Sequence, residues 1–172
     1  IVTSSDTSSR FGAGNKTGIF SSFSAGYRIS EDLKIDWLSD LKLRASWGET
    51  GNFLIPNYAS IGLLSSYNTT FDGTLVNGIA PSTISNQDLS WEKTASFDIG
   101  LDFGFLKDRI YGSLEYFEST TTDLLLAVQI PSALGFTNAL TNIGEVVNKG
   151  FEISLTSRNL TGALKWTTDF NF

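Results

Sequence analysis

The chain has 172 residues, enough for one domain, and it contains no cysteine and no histidine. This composition removes disulfide scaffolds, thiolate zinc sites and histidine-based catalytic triads from consideration, and it predicts no metal and no cofactor. A formal net charge of −6 argues against a nucleic-acid partner. The longest uninterrupted apolar run is Leu124 to Val128, far short of the ~20 residues that a transmembrane helix needs.

Alternation of apolar and polar residues predicts six strands along the chain. Each has one apolar and one polar face, because successive side chains on a strand point to opposite sides. In chain order the predicted strands are 19–29, 41–48, 91–105, 110–118, 148–157 and 164–172. Phe20 interrupts the polar row of the first strand, and Tyr111 and Phe117 interrupt the polar row of the fourth. Ile1 and Val2 indicate the end of a further strand.

The segment 91–105 is the most informative element. Seven of its eight odd-numbered residues are apolar, and all of its even-numbered residues are polar or glycine. At about 3.3 Å per residue it would extend for about 50 Å, whereas strands of soluble proteins usually have ~5–6 residues. Tilted by ~45°, such a strand rises about 35 Å and can cross an apolar band of ~25 Å. The pattern predicts an antiparallel transmembrane β-barrel; a soluble β-sandwich, which also alternates, is the competing interpretation.

Short and long connections alternate along the chain. The predicted turns at 106–109 and 158–163 are short and the connection 30–40 is modest, whereas the stretches 49–90 and 119–147 are long, and 3–18 is the tail of another loop. Outer-membrane barrels have short turns on one side and long loops outside the cell, so these three stretches are predicted to be extracellular loops. Six or seven strands cannot close a barrel, and open edges cannot face lipid. We therefore expect residues 1–172 to form part of one larger transmembrane β-barrel domain, as an internal piece of a longer chain.

Several motifs, each loose by itself, occur together in a characteristic order. They are SSRFG at 8–12, GYRISE at 26–31, LKLRASWGETGN at 41–52, NQDLSWEKTASFDIGLDFGF at 86–105, TTDLLL at 121–126 and NIGEVVNKGFEISL at 142–155. In this order and spacing the chain resembles the later part of the barrel of SusC/RagA-type, TonB-dependent outer-membrane transporters. Gln87 departs from the family pattern, which usually has proline there.

The resemblance implies a barrel of about 22 strands in the outer membrane of a Gram-negative bacterium, plugged by an N-terminal domain that has no counterpart here. It implies active import of large nutrients, glycans or peptides, energised by the TonB complex through that missing region. It also implies a SusD-like surface lipoprotein as a lid over the extracellular loops. Two rival functions stay open at this point: an outer-membrane barrel enzyme and a soluble all-β carbohydrate-binding module.

Four aromatic residues of the long loop, Phe53, Tyr58, Tyr67 and Phe71, are candidates for contact with substrate or lid. The alternative is that they pack the loop against its neighbours. Asp98 and Asp102 share one face of one strand, about 13 Å apart at strand rise, which is too far for the ~5–10 Å of a glycosidase pair. The simpler interpretation of these two carboxylates is a hydrated barrel lumen. Lys93, the one charge on the apolar row of 91–105, is expected to reach the headgroups.

Overall fold

The computed structural model describes residues 1–33 and 35–172, and these contain eleven strands. The strands are β1 (Val2–Thr7), β2 (Thr17–Arg28), β3 (Leu38–Asn52), β4 (Leu64–Phe71), β5 (Thr74–Pro81), β6 (Glu92–Phe105), β7 (Ile110–Thr122), β8 (Leu125–Gln129), β9 (Asn138–Asn142), β10 (Glu145–Thr161) and β11 (Lys165–Asn171). Two short 3-10 turns lie at Ile29–Glu31 and Ser132–Leu134. No helix in the described ranges is long and apolar enough to span a membrane.

Seven strands form one antiparallel sheet in the order β1-β2-β3-β6-β7-β10-β11. The other four form two separate hairpins, β4–β5 and β8–β9. All six predicted strands are confirmed, with an additional strand, β1, at the start. The sheet is open at β1 and β11, so each of these strands has a free edge within the described residues.

The boundaries of the predicted loops need correction. Residues 3–7 were expected in a loop but form β1, and the connection to β2 is only 8–16. The sequence VTSSDT gives no alternation because five of its six residues are polar, so both faces of β1 carry polar side chains. The two long connections are also shorter than predicted, at 53–91 and 123–144, because β3, β7 and β10 continue past their predicted ends. Each of these connections contains one of the two hairpins.

The connections fall at two ends of the sheet. Three short connections, 29–37, 106–109 and 162–164, lie at one end, which we call the turn end. The connections 8–16, 53–91 and 123–144 lie at the opposite end, which we call the loop end. The alternation of short and long connections predicted from the sequence is therefore present in the fold.

Register aligns residues of like polarity across the strands. One row across four strands is Arg44, Gly100, Glu115 and Glu152, and the adjacent row is Ala45, Ile99, Tyr116 and Phe151. The first row lies on the polar face and the second on the apolar face. The Tyr116 and Phe151 rings are 4.9 Å apart, as expected for an aromatic cross-strand pair.

The aromatic residues that interrupt the polar rows occupy space left by glycines. Phe117 lies opposite Gly150, and an added Cβ at Gly150 would be 3.1 Å from the Phe117 ring. Phe20 lies beyond the last β2–β3 pair, Ser22 with Gly48, and its side chain is 5% exposed. An added Cβ at Gly18 or Gly51 would overlap the Phe20 ring, at 2.5 Å and 2.0 Å.

A small hydrophobic core lies at the loop end. It contains Phe11, Phe20, Ile55, Leu89 and Trp91, each at most 5% exposed. Trp91 is central, with ring centroids 5.3 Å from Phe11 and 5.4 Å from Phe20. This loop-end core connects the first residues of β2 with connection 8–16 and with both ends of connection 53–91.

Candidate functional site: the polar face and the loop end

An ion cluster occupies the middle of the polar face. Arg44 on β3 reaches Asp98 and Asp102 on β6, at 3.2 Å and 3.4 Å, and Glu115 on β7 at 2.8 Å. The guanidinium donates to both oxygens of Glu115. It crosses β6 directly over Gly100, where an added Cβ would be 2.6 Å from Arg44 Cζ. Glycine at position 100 is therefore what allows a β3 side chain to reach β7.

The cluster is chemically suited to a polar wall. Asp98 and Asp102, which share the polar face of β6, both bind the same guanidinium. Three carboxylates surround one cation, so the cluster keeps an excess of negative charge. Sequence reasoning missed Arg44 and Glu115, since only the register reveals that they are neighbours. The described part of the chain holds no group of three or more His, Cys, Asp or Glu side chains that could bind a metal ion.

The four predicted aromatic residues separate into two places. Phe53 lies against the loop-end core, with its ring 5.4 Å from that of Trp91, and keeps 44% exposure. Tyr58 is 65% exposed and has a φ of +63°, a left-handed conformation that is rare for a bulky residue. Tyr67 and Phe71 lie on β4, 66% and 75% exposed, on the same face of the hairpin. Contact of these residues with substrate or lid stays a prediction.

The β4–β5 hairpin carries large apolar side chains on both faces, among polar ones. Tyr67, Phe71 and Val76 lie on one face, and Leu64, Leu75 and Ile79 lie on the other. All six are between 38% and 76% exposed. Asp72 and Gly73 form the tight turn, both with positive φ, as a two-residue hairpin turn requires. Two strands without a covering layer are marginally stable in water, so this hairpin is suited to packing against something else.

Arg10, in the connection 8–16, is a loop-end residue that sequence reasoning did not select. Its guanidinium lies over the Phe53 ring, with Cζ 5.5 Å from the centroid, and its Nε donates to Asn57 Oδ1 at 3.1 Å. Asn57 directly precedes Tyr58. The contacts join residues that are 47 positions apart, which no local pattern could have indicated.

The family model described as "TonB dependent receptor-like, beta-barrel" matches residues 2–172. The chain belongs to this family. It is 41% identical over 171 residues to TonB-dependent receptor P39 of Formosa agariphila, covering 97% of this chain and 16% of that protein. It is 37% identical over 178 residues to TonB-dependent receptor SusC of Bacteroides thetaiotaomicron, covering 96% and 17%. The chain thus spans about a sixth of the length of the curated relatives that it matches.

Nearly the whole chain matches solved structures of TonB-dependent receptor barrels. The RagAB peptide importer in its "closed-closed" state matches with a TM-score of 0.82 and 32% identity, over 98% of this chain and 19% of that one. The "open-open" state matches with a TM-score of 0.80. The resemblance to SusC/RagA-type transporters is confirmed, and the seven-stranded sheet is a piece of barrel wall that does not close on itself.

Family membership shows what surrounds the apolar face and the polar face of the seven-stranded sheet. In a barrel of this family the apolar face contacts lipid and the polar face lines the lumen. The interpretation as a soluble carbohydrate-binding module is wrong, because the matching family is a family of outer-membrane barrels. That family is one of TonB-dependent transporters and not an enzyme class.

Proposed function

We propose that the protein containing this chain is an active importer in the outer membrane that takes up large nutrients, glycans or peptides, with energy from the TonB complex. The observation that supports this most is the family match over residues 2–172, together with the similarity to SusC and to the RagAB peptide importer. The chain supplies seven strands of the wall. TonB would act through the region that precedes the barrel in the family pattern.

Burial supports placement in a membrane. Large apolar side chains on the lipid-facing rows are exposed in this chain, with Phe151 at 70%, Tyr27 at 59% and Phe23 at 52%. A soluble sheet would cover these residues with a second layer, whereas bilayer lipid covers them in a barrel. The aromatic pair of Phe23 and Trp47, with centroids 5.5 Å apart, adds to that surface.

The loop end is proposed to face the cell exterior and to receive a SusD-like lipoprotein. Connections on rigid strands are where binding residues concentrate. The β4–β5 hairpin is the proposed lid contact, because Tyr67 and Phe71 present an apolar surface that nothing in the described residues covers. Phe53 and Tyr58, which lie closer to the loop-end core, are proposed to contact substrate.

The hairpin can be removed without disturbing the loop-end core. Leu63 and Ser82 already face each other, with the Ser82 amide donating to the Leu63 carbonyl at 2.7 Å. Replacing 64–81 by Asn-Gly therefore closes the loop at an existing contact and leaves Ile55 and Leu89 in place. Loop length changes closure entropy only slowly, so β3 and β6 should keep their pairing. We expect normal barrel abundance in the outer membrane, with weaker co-purification of the lipoprotein and slower nutrient-dependent growth.

Two double variants identify the face that the lid uses. Tyr67→Ser with Phe71→Ser should weaken lipoprotein co-purification, and Leu75→Ser with Ile79→Ser, on the opposite face, is the matched control. Equal losses from both pairs would indicate damage to the hairpin itself. If the shortened transporter keeps its lipoprotein and its uptake at the intact level, the hairpin is a spacer and its assignment here is wrong.

A further inference from the structure

Arg10 is held in place from three directions at the loop end. The next residue, Phe11, is 1% exposed in the loop-end core and so fixes the backbone. The Arg10 amide donates to Ser8 Oγ at 3.3 Å, and its Nε donates to Asn57. The guanidinium is stacked on Phe53, which in turn packs on Trp91. A long, flexible side chain has therefore lost most of its freedom before any ligand arrives.

The two terminal nitrogens of this guanidinium are unused. Among residues 1–33 and 35–172, neither has a hydrogen-bond acceptor, and no carboxylate lies within 4.0 Å. In the same chain Arg28 binds Asp40, and Arg44 binds three carboxylates. Arg109 and Arg158 also form no salt bridge, but Arg109 donates to the carbonyls of Arg158 and Asn159, and Arg158 lies over the Tyr111 ring without a side-chain hydrogen bond. Among the arginines of the described residues, Arg10 alone combines a stacked ring with a side-chain hydrogen bond at Nε and two free terminal nitrogens.

We propose that Arg10, Phe53 and Asn57 form a binding site for a carboxylate group carried by the imported molecule. This inference rests on the proposed function and adds a ligand chemistry to it. A guanidinium offers two parallel N–H groups that match both oxygens of a carboxylate, and such charge-assisted pairs are stronger than neutral hydrogen bonds. The exposed part of the Phe53 ring supplies an apolar surface beside the charge. Asn57 holds the guanidinium plane through Nε, which leaves the terminal pair for the ligand.

A packing role for Arg10 makes a different prediction. If Arg10 served only to cover Phe53, lysine or glutamine would retain much of that contact through the side-chain stem. A carboxylate site requires the two parallel N–H groups of the guanidinium. The affinity of Arg10→Lys for a carboxylate should therefore lie between that of the native protein and that of Arg10→Gln. Lys16 is exposed and lies in the same connection 8–16. Lys16→Gln is the matched control, because it removes one positive charge without changing the contact on Phe53.

The experiment uses the full-length transporter purified with its lipoprotein and titrated by calorimetry. Two pairs of probes distinguish the source of the carboxylate: trigalacturonate against its methyl ester, and a pentapeptide with a free C-terminal carboxylate against its amide. We expect the acid of one pair to bind more tightly than its neutral form. Arg10→Gln should lower that affinity roughly tenfold or more, with the neutral form and lipoprotein co-purification unchanged. Lys16→Gln should leave the acid preference intact.

Three results would overturn the site. They are equal binding of acid and neutral forms in both pairs, an acid preference that survives Arg10→Gln, and an equal loss in Lys16→Gln. In each case the neutral probes still bind and the proposed import function stands. Failure of all four probes to bind the intact complex counts against both proposals.

Discussion

At the middle of the strands, the lumen face of the sheet carries a cluster of charged side chains, whereas the lipid face carries none. On the lumen face Arg44, Asp98, Asp102 and Glu115 meet around Gly100. On the lipid face the neighbouring rows hold only apolar and aromatic side chains, among them Leu43, Leu101, Leu114, Ile99 and Tyr116. Both faces share one backbone ladder, so the hydrogen bonds of the sheet do not decide where charge can lie.

The surrounding medium makes the difference. A charge on the lipid face is costly near the bilayer midplane and costs little near the interfaces. Charged residues on the lipid-facing rows of β6, β7 and β10 accordingly lie towards the loop end, at Lys93, Glu118, Glu145 and Lys149. Tyr116 donates to Glu118 Oε2 at 2.8 Å, which satisfies that carboxylate at the edge of the band. The expectation that Lys93 reaches the headgroups agrees with this position.

The largest expected effect comes from placing a charge on the lipid face at the height of the cluster. Ile99→Arg or Leu101→Arg should lower the free energy of unfolding of the complete barrel by about 2–4 kcal/mol. Ser96→Arg faces the lumen beside Ser119, with which Ser96 forms a 3.1 Å hydrogen bond, and should cost much less. Urea unfolding in lipid vesicles measures both. Equal penalties on the two faces would contradict the assignment of lipid and lumen.

The second effect tests the lumen face. Arg44→Met keeps the stem but leaves three carboxylates close together without their cation, and we expect a loss of about 2 kcal/mol in the same assay. Arg28→Met is the control, because Arg28 is 53% exposed in its pair with Asp40 and should cost less than about 1 kcal/mol. Adding Asp98→Asn to Arg44→Met should recover part of the loss by removing one repelling charge. No recovery would mean that repulsion is not the cause.

The smallest effect tests where the lipid face ends. Trp91 continues the apolar row of β6, but the loop-end core covers it, and its buried Nε1 has no acceptor among the described residues. Trp91→Phe should therefore change the free energy of unfolding by less than about 1 kcal/mol, because it keeps a buried ring and removes an unpaired donor. Trp37→Phe, at an exposed tryptophan of the turn end, is the control. A loss above about 1 kcal/mol specific to Trp91→Phe would show that the indole has an acceptor in the complete protein.

Sequence alone predicted the wall better than the loops, for a physical reason. A strand between two media shows its faces as alternation, so β2, β3, β6, β7, β10 and β11 were all predictable. In β1 five of six residues are polar, and in β4–β5 large apolar side chains lie on both faces, so neither gives a clean period. Contacts between residues far apart in the sequence could not be predicted. The Arg44–Glu115 pair depends on the register of three strands, and the Arg10–Phe53 stack depends on a core formed by separate loops.

Strand β10 has 17 residues, which at about 3.3 Å per residue and a tilt of ~45° gives a rise of about 40 Å. The lipid band takes only ~25 Å of that height, so roughly 15 Å of rigid wall remains outside it. The loops therefore begin on a stiff collar and not at the lipid surface. Changes in the length or chemistry of the loops therefore need not alter any residue that contacts lipid. Exchange of the loop segments alone would leave the membrane-spanning part of every strand unchanged, so the chemistry of the loops can vary independently of insertion into the bilayer.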